Sequence, residues 1–246
     1  MSFYSSIVQA YDEIFPLNKV QAHFMEDIFL NLVGKKVLDC GCGTGSLAIE
    51  LGRRSAAVDA FDLDLSMVEK AQLKCPQAIN VHFTTGDLLQ ITDQYREDCY
   101  DLVYCLGNTL AHLPALDLVN KYIHSVASVL KNGAFVVLQV VNYDWVIAND
   151  ISQLPTIESD NYIFDRDYIP EKGGVIRFAT KLKDKRDDVC YSQALPLIPI
   201  LKDDLHKMLD EHFEEICFYG SFKKEEWTEG SFHTIVVAKK RTGQKM

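Results

Sequence analysis

Along the first 140 residues, short apolar runs alternate with stretches whose apolar positions recur at helical spacing. Gln21–Leu32 places Ala22, Met25, Phe29 and Leu32 at intervals of three to four residues and is followed by Gly34, which predicts a helix and its stop. Lys36–Cys40, Ala56–Phe61, Val81–Thr84, Tyr100–Leu106 and Ala134–Val141 have the short, continuous apolar character of buried strands. Between them, Ser46–Arg53, Leu65–Leu73 and Ala115–Leu130 predict helices, the last stopping at Asn132-Gly133. This β-α-β-α order predicts an α/β, doubly wound, mainly parallel sheet with helices on both faces. In such sheets ligands bind outside the carboxyl ends of the strands, so the loops after the strands are where chemistry is expected.

After Asn142 the pattern changes. Residues 143–160 are polar and predict irregular structure. Tyr162–Tyr168, Val175–Leu182 and Val189–Ile198 predict three antiparallel strands, separated by turns at Glu171-Lys172-Gly173-Gly174 and Asp184–Asp188. Lys202–His212 predicts a helix, and Glu215–Tyr219 and Thr234–Lys239 a closing hairpin that would complete a seven-stranded sheet. The expected organisation is a core formed by 1–142 and 201–246, with 143–200 inserted as a small antiparallel β cap, or lid, over its open end.

Composition narrows the partners. The 246 residues are 48% apolar, enough for one domain with a large core. Net charge is −10, which disfavours nucleic acid as substrate, because such binding draws its affinity from cationic contacts to phosphates. The one basic cluster, Lys239, Lys240, Arg241 and Lys245, reads as a frayed, solvated tail. Seven cysteines, odd in number and without a CxxC pair, suit a reducing compartment and not a disulfide framework or a zinc site. The N-terminal residues lack a signal-peptide pattern, and no apolar stretch reaches membrane-spanning length. A cytoplasmic protein is expected, with no metal and no membrane partner, and with a homodimer left open.

The first predicted strand ends in Asp39, followed by Gly41-Cys42-Gly43-Thr44-Gly45 and a helix. Glycines there let the backbone turn tightly and pass close to a ligand. Ser46 stands where a dinucleotide-binding loop has its third glycine, and Asp39 would oppose a pyrophosphate. A carboxylate at that place suits a nucleoside carrying a cationic amino group, and S-adenosylmethionine (SAM) is such a molecule. Asp62, at the end of the second strand, is placed to accept both ribose hydroxyls, whereas Asp64 fits a helix N-cap better. Leu63 follows Asp62, and Met67 lies one turn further on, where it packs either on adenine or in the core. Gly86-Asp87-Leu88 ends the third strand, and Asp87 serves either as acceptor for the adenine amino group or as a solvated turn. The fourth strand should face the reacting methyl. It leads into Leu106-Gly107-Asn108, with Asn108 offering donor and acceptor groups, and on to His112, either a base or a structural residue.

Taken together, Val37–Gly45, Asp62, Gly86-Asp87 and the Tyr100–Leu106 strand resemble the class I, Rossmann-like SAM-dependent methyltransferases. The likeness covers roughly residues 1–142 and resumes in the final helix and hairpin. Cys105–Pro114, Asn142-Tyr143-Asp144 and Tyr219-Gly-Ser-Phe222-Lys223 are similar to the glycine N-methyltransferase group. That resemblance implies that Leu106 and Asn108 line the SAM and substrate pocket, that Tyr11 covers SAM, and that the acceptor is a small molecule. Glycine methyltransferases carry an arginine directly before Asn-Tyr-Asp to bind the glycine carboxylate. Val141 stands there in this chain, and Leu197-Ile198-Pro199 replaces the group's Tyr-Tyr-Pro. A buried carboxylate without a cation is costly, so glycine is not the expected acceptor. The expected activity is methyl transfer from SAM to nitrogen or oxygen of a small molecule. The rival reading is a non-catalytic SAM-binding protein of the same fold.

Overall fold

The computed structural model describes residues 7–243. Five strands, β1 (Lys36–Cys40), β2 (Ala57–Asp62), β3 (Val81–Thr85), β4 (Tyr100–Cys105) and β5 (Leu130–Val141), pair in parallel. β10 (Phe213–Tyr219) and β11 (His233–Lys240) complete the sheet in the order β10-β11-β5-β4-β1-β2-β3. Only β11 runs against its neighbours, pairing antiparallel with both β5 and β10. The chain winds outward from β1 through β2 to β3, then returns to β4 on the other side of β1, which makes the β1/β4 boundary the switch point where ligands bind.

Strand side chains alternate between two core layers. Val37, Val58 and Leu102 pack with residues of α2 (Lys19–Asp27), α3 (Ser46–Arg53) and α4 (Leu65–Lys74). Leu38, Cys40, Val103 and Cys105 pack with α6 (Leu116–Val129) on the opposite face. Burial on both faces is why these strands read as continuous apolar runs. Local capping sets the helix starts: Asn18 accepts from the Val20 N–H for α2, and Asp64 accepts from Ser66 and Met67 for α4. Short helices α1 (Tyr11–Ile14) and α5 (Ile91–Gln94) complete this part of the chain.

The second sheet is antiparallel, with β6 (Gln153–Glu158), β7 (Tyr162–Pro170), β8 (Ile176–Asp184) and β9 (Cys190–Leu197) in sequence order. It has one strand more than the sequence pattern predicts. The stretch 143–160 is not irregular: it forms α7 (Tyr143–Ala148), capped by the Asn142 side chain, and then β6. β6 hides its signal because it is an edge strand that tolerates Pro155 and buries only Leu154 fully. Phe164, Tyr162 and Leu182 of this sheet pack with Ile7, Val8, Ala10 and Ile14. Glu13 adds hydrogen bonds to the Ser159 hydroxyl and to the Asn161 backbone and side chain, so α1 ties the two sheets together. α8 (Lys202–Asp210) follows the second sheet, its first N–H held by Asp144.

Two further expectations change. The Asn132-Gly133 stop lies inside β5, because Leu130 is buried and pairs with Tyr100, and burial outweighs the turn signal. The basic cluster is not a frayed tail: Lys239 pairs with Glu215, Arg241 with Asp210, and Lys240 is buried against Asp98 and the Leu130 carbonyl. Lys245 lies outside the described residues. All seven cysteines are free thiols, and among the described residues no helix is long and apolar enough to cross a membrane.

Candidate active site

The carboxyl ends of β1, β2, β3 and β4 open into a cavity of about 880 Å³ that the inner face of the second sheet covers. Its floor is the glycine loop. The Gly41 and Cys42 N–H groups both donate to the Phe61 carbonyl at 2.9 Å, and the Gly43 N–H donates to the Asp62 carboxylate at 2.8 Å. Gly41, Gly43 and Gly45 all have positive φ. A Cβ on Gly45 would sit 2.4 Å from the Phe83 ring, so this glycine permits α3 to pack closely on β3.

Several carboxylates stand around the loop and the cavity. Asp39 is 4% exposed, and its Oδ2 accepts from the Tyr104 hydroxyl at 2.7 Å. Burial, reinforced by the charge of Asp62, pushes the Asp39 pKa up to about 8. Asp62 accepts from the Gly43 and Asp64 N–H groups, yet burial still raises its pKa. Asp87 accepts from the Leu89 N–H through one oxygen. Asp12, on α1, binds the Thr44 and Ser46 hydroxyls and the Lys74 ammonium, with Lys70 nearby. Burial alone would raise the Asp12 pKa, but the bonds from Lys74 and Thr44 lower it on balance. This cluster fixes α1 over the loop, with the Tyr11 hydroxyl 3.1 Å from where a Gly43 Cβ would stand.

The wall toward β5 is built differently. Asn108, in the left-handed region, accepts from the Val141 N–H at 3.0 Å and donates to the Tyr143 hydroxyl at 2.9 Å. Gln139 accepts from the Gly107 N–H at 2.7 Å and contacts His233. Asn142 donates to the carbonyls of Thr228, Glu229 and Ser231, fixing the loop before β11. His112 lines the cavity, and burial pulls its pKa down to about 4. From the second sheet, Leu154, Phe164, Arg166, Tyr168 and Phe178 face the same space.

Residues 37–133 match the model of a methyltransferase domain. A glycine/sarcosine N-methyltransferase from Aphanothece halophytica is 29% identical over 210 residues, spanning 84% of this chain and 76% of that protein. A ubiquinone biosynthesis O-methyltransferase from Shewanella sp. (strain ANA-3) is 28% identical over 127 residues, 51% of this chain and 52% of that protein. The chain thus spans only about half the length of that second relative. A crystal structure of an S-adenosylmethionine-dependent methyltransferase from Clostridium acetobutylicum ATCC 824 shares the fold, with a TM-score of 0.79 at 17% identity, covering 98% of this chain and all of that one. Residues 37–133 are thus a methyltransferase domain, carried on the Rossmann-like class I methyltransferase fold.

The cofactor of this methyltransferase is SAM, and the chain's own residues fit it. Asp39 is a buried carboxylate that forms no ion pair with a lysine or arginine among the described residues, and burial raises its pKa. Of the residues singled out from sequence, Tyr11, Asp39, Gly41, Gly43, Asp62, Leu63, Asp87, Leu88, Leu106, Asn108 and His112 line the cavity together. Gly45 and Met67 do not. Gly45 acts through packing, and Met67 is fully buried with Ile7 and Phe164, because its helical face turns toward α1 and the second sheet. Asn108, singled out for its donor and acceptor groups, engages them with Val141 at the end of β5 and with Tyr143 just after it. Sequence reasoning missed Asp12, Lys74, Gln139 and Arg166. The first two lie 62 residues apart, and the last sits in a strand whose inward face no local pattern marks. His124, Glu211 and His212 bring possible metal-ligand atoms within 4.8 Å of one another, but none of them lines this cavity.

Proposed function

We propose that this methyltransferase transfers the SAM methyl group to a nitrogen or oxygen of a small-molecule acceptor other than glycine. The observation that carries this reading is the shared cavity. Asp39, Asp62 and Asp87 line one side, while Leu154, Tyr168 and Phe178 of the second sheet line the other, a cap suited to enclosing a small molecule. In this reading 143–200 is the cap of a core made by 1–142 and 201–246.

Asp39 would hold the cofactor's ammonium, Asp62 the ribose hydroxyls and Asp87 the adenine amino group, with Tyr11 closing over them. Leu63, Leu88 and Leu106 supply apolar walls. SAM brings an already activated methyl on a sulfonium, so the protein's work is to orient the acceptor and exclude water. Asn108 positions the β4 loop against Val141 and Tyr143. His112 stays neutral down to about pH 4 and is a weak base. Amines that enter unprotonated and release their proton after transfer therefore suit this site better than hydroxyls that must first be deprotonated. Val141, apolar and at the cavity wall, supports the exclusion of glycine. Seven free thiols support a cytoplasmic setting.

The test is a panel of small amines, phenols, thiols and carboxylates assayed for S-adenosylhomocysteine release. Turnover of a small amine or phenol is expected. Methylation of protein or nucleic acid with no turnover of any small molecule would overturn the reading.

A further inference from the structure

Arg166 is the only lysine or arginine among the described residues that line the cavity. It lies on β7, where Phe164, Arg166 and Tyr168 share one face by strand alternation, and all three line the cavity. Its register partners are Leu154 on β6 and Thr180 on β8. Phe164 lies below the guanidinium, with its ring centroid 6.0 Å away. The guanidinium meets no carboxylate among the described residues. Nη2 donates to the Pro155 carbonyl at 2.6 Å, and Nε is buried without a partner.

A cation with an orphaned donor in apolar surroundings is costly unless a ligand completes it. Burial lowers the Arg166 pKa, yet a guanidinium remains charged at neutral pH. The side facing Arg166 holds Asp39, Asp62 and Asp87, so an anionic ligand has this one charge to pair with. The neighbours of Arg166 belong to the acceptor wall: Tyr168 packs on Phe178 at 5.7 Å and near Tyr143 at 6.4 Å, at the end of β5. The planar fork of arginine matches a carboxylate, and the partnerless Nε–H leaves it a donor to offer one.

We infer that Arg166 is a specificity residue that binds a carboxylate on the methyl acceptor, the acceptor's apolar or aromatic body lying against Tyr168, Phe178 and Val141. The inference rests on the small-molecule reading above. It differs from recognition at the end of β5, where Val141 offers no charge: here the anion is held from the cap.

The test uses protein loaded with S-adenosylhomocysteine and matched probes: benzoate against benzamide, and phenylacetate against phenylacetamide. Calorimetry on the native protein should show each acid binding about 10- to 100-fold tighter than its amide. Arg166→Gln should bring that ratio near one, Arg166→Lys should restore part of it, and S-adenosylhomocysteine affinity should stay within about twofold in both. Equal binding of acids and amides by the native protein overturns the inference without recourse to any variant. So does an acid preference that survives Arg166→Gln. A parallel loss of S-adenosylhomocysteine affinity would assign the guanidinium to the cofactor's own carboxylate and overturn it as well. Acid preference in a protein that turns over no small acceptor would count against the proposed function and leave the Arg166 site standing.

Discussion

Asp39 and Tyr104 stand in register across the β1/β4 switch point, and the Tyr104 hydroxyl donates to the Asp39 carboxylate at 2.7 Å. The pair sits where the winding of the sheet reverses, at the edge of the cavity. One hydrogen bond does not offset the burial of the charge, so Asp39 retains its proton up to about pH 8 in the absence of a cation.

This raised pKa makes stability pH-dependent. Between the ordinary carboxylate range and about pH 8, the folded protein holds a proton that the unfolded chain releases. The Asp39 contribution is therefore full at low pH and is lost as pH rises toward 8. Urea midpoints of the cofactor-free protein should fall across this window, and Asp39→Asn should flatten the slope. A slope unchanged in Asp39→Asn would refute the assignment.

On the proposed pairing with the cofactor ammonium, SAM binding should release the Asp39 proton. SAM affinity should then rise from pH 6 to about 8 in the native protein. Calorimetry in buffers of different ionisation enthalpy measures the released proton directly. Asp39→Asn should bind SAM more weakly and release none.

Asp62→Ala removes the proposed ribose acceptor and also the partner of the Gly43 and Asp64 N–H groups. SAM affinity should fall by about 10- to 100-fold. SAM should raise the melting temperature of the native protein as a ligand of the folded state does, whereas NADH should leave it unchanged. Stabilisation by NADH in place of SAM would contradict the site as built.

Gly45→Ala places a methyl group 2.4 Å from the Phe83 ring on a backbone with φ of +74°. Left-handed strain and overpacking together should cost about 3 kcal/mol. Chemical denaturation should show the loss. An unaltered midpoint would mean that α3 and β3 are not packed as described.

Asn108→Ala cuts the ties to Val141 and Tyr143 without touching the proposed cofactor carboxylates. Its effect should fall on kcat with whichever acceptor the panel identifies, leaving SAM affinity nearly intact. His112→Asn, replacing a weak base, should lower kcat less than about tenfold. A larger loss, with a pH profile that shifts in the variant, would make His112 a proton acceptor in the reaction.

The chain's local patterns determined the parts that depend on near neighbours. Continuous apolar runs and a period near 3.6 revealed β1 to β4 and the helices α3 and α4, because these strands are buried on both faces and each helix buries one stripe. The spacing of Asp39, the glycines, Asp62 and Asp87 was legible because each ends or follows a parallel strand, and parallel strands bring their carboxyl ends to one edge. Tertiary structure alone decided which atoms meet across that edge. Asp12 reaches Thr44 and Lys74 only because Glu13 and Ile14 fasten α1 to the second sheet. Met67 turned to the core because α4 rotates that face toward α1. The Asn108 amide was taken up by Val141 and Tyr143, and Arg166 came to the cavity because the register of β6, β7 and β8 fixes which alternate side chains of the second sheet point inward. Register is a property of paired strands, and a one-residue slip would send Arg166 to solvent.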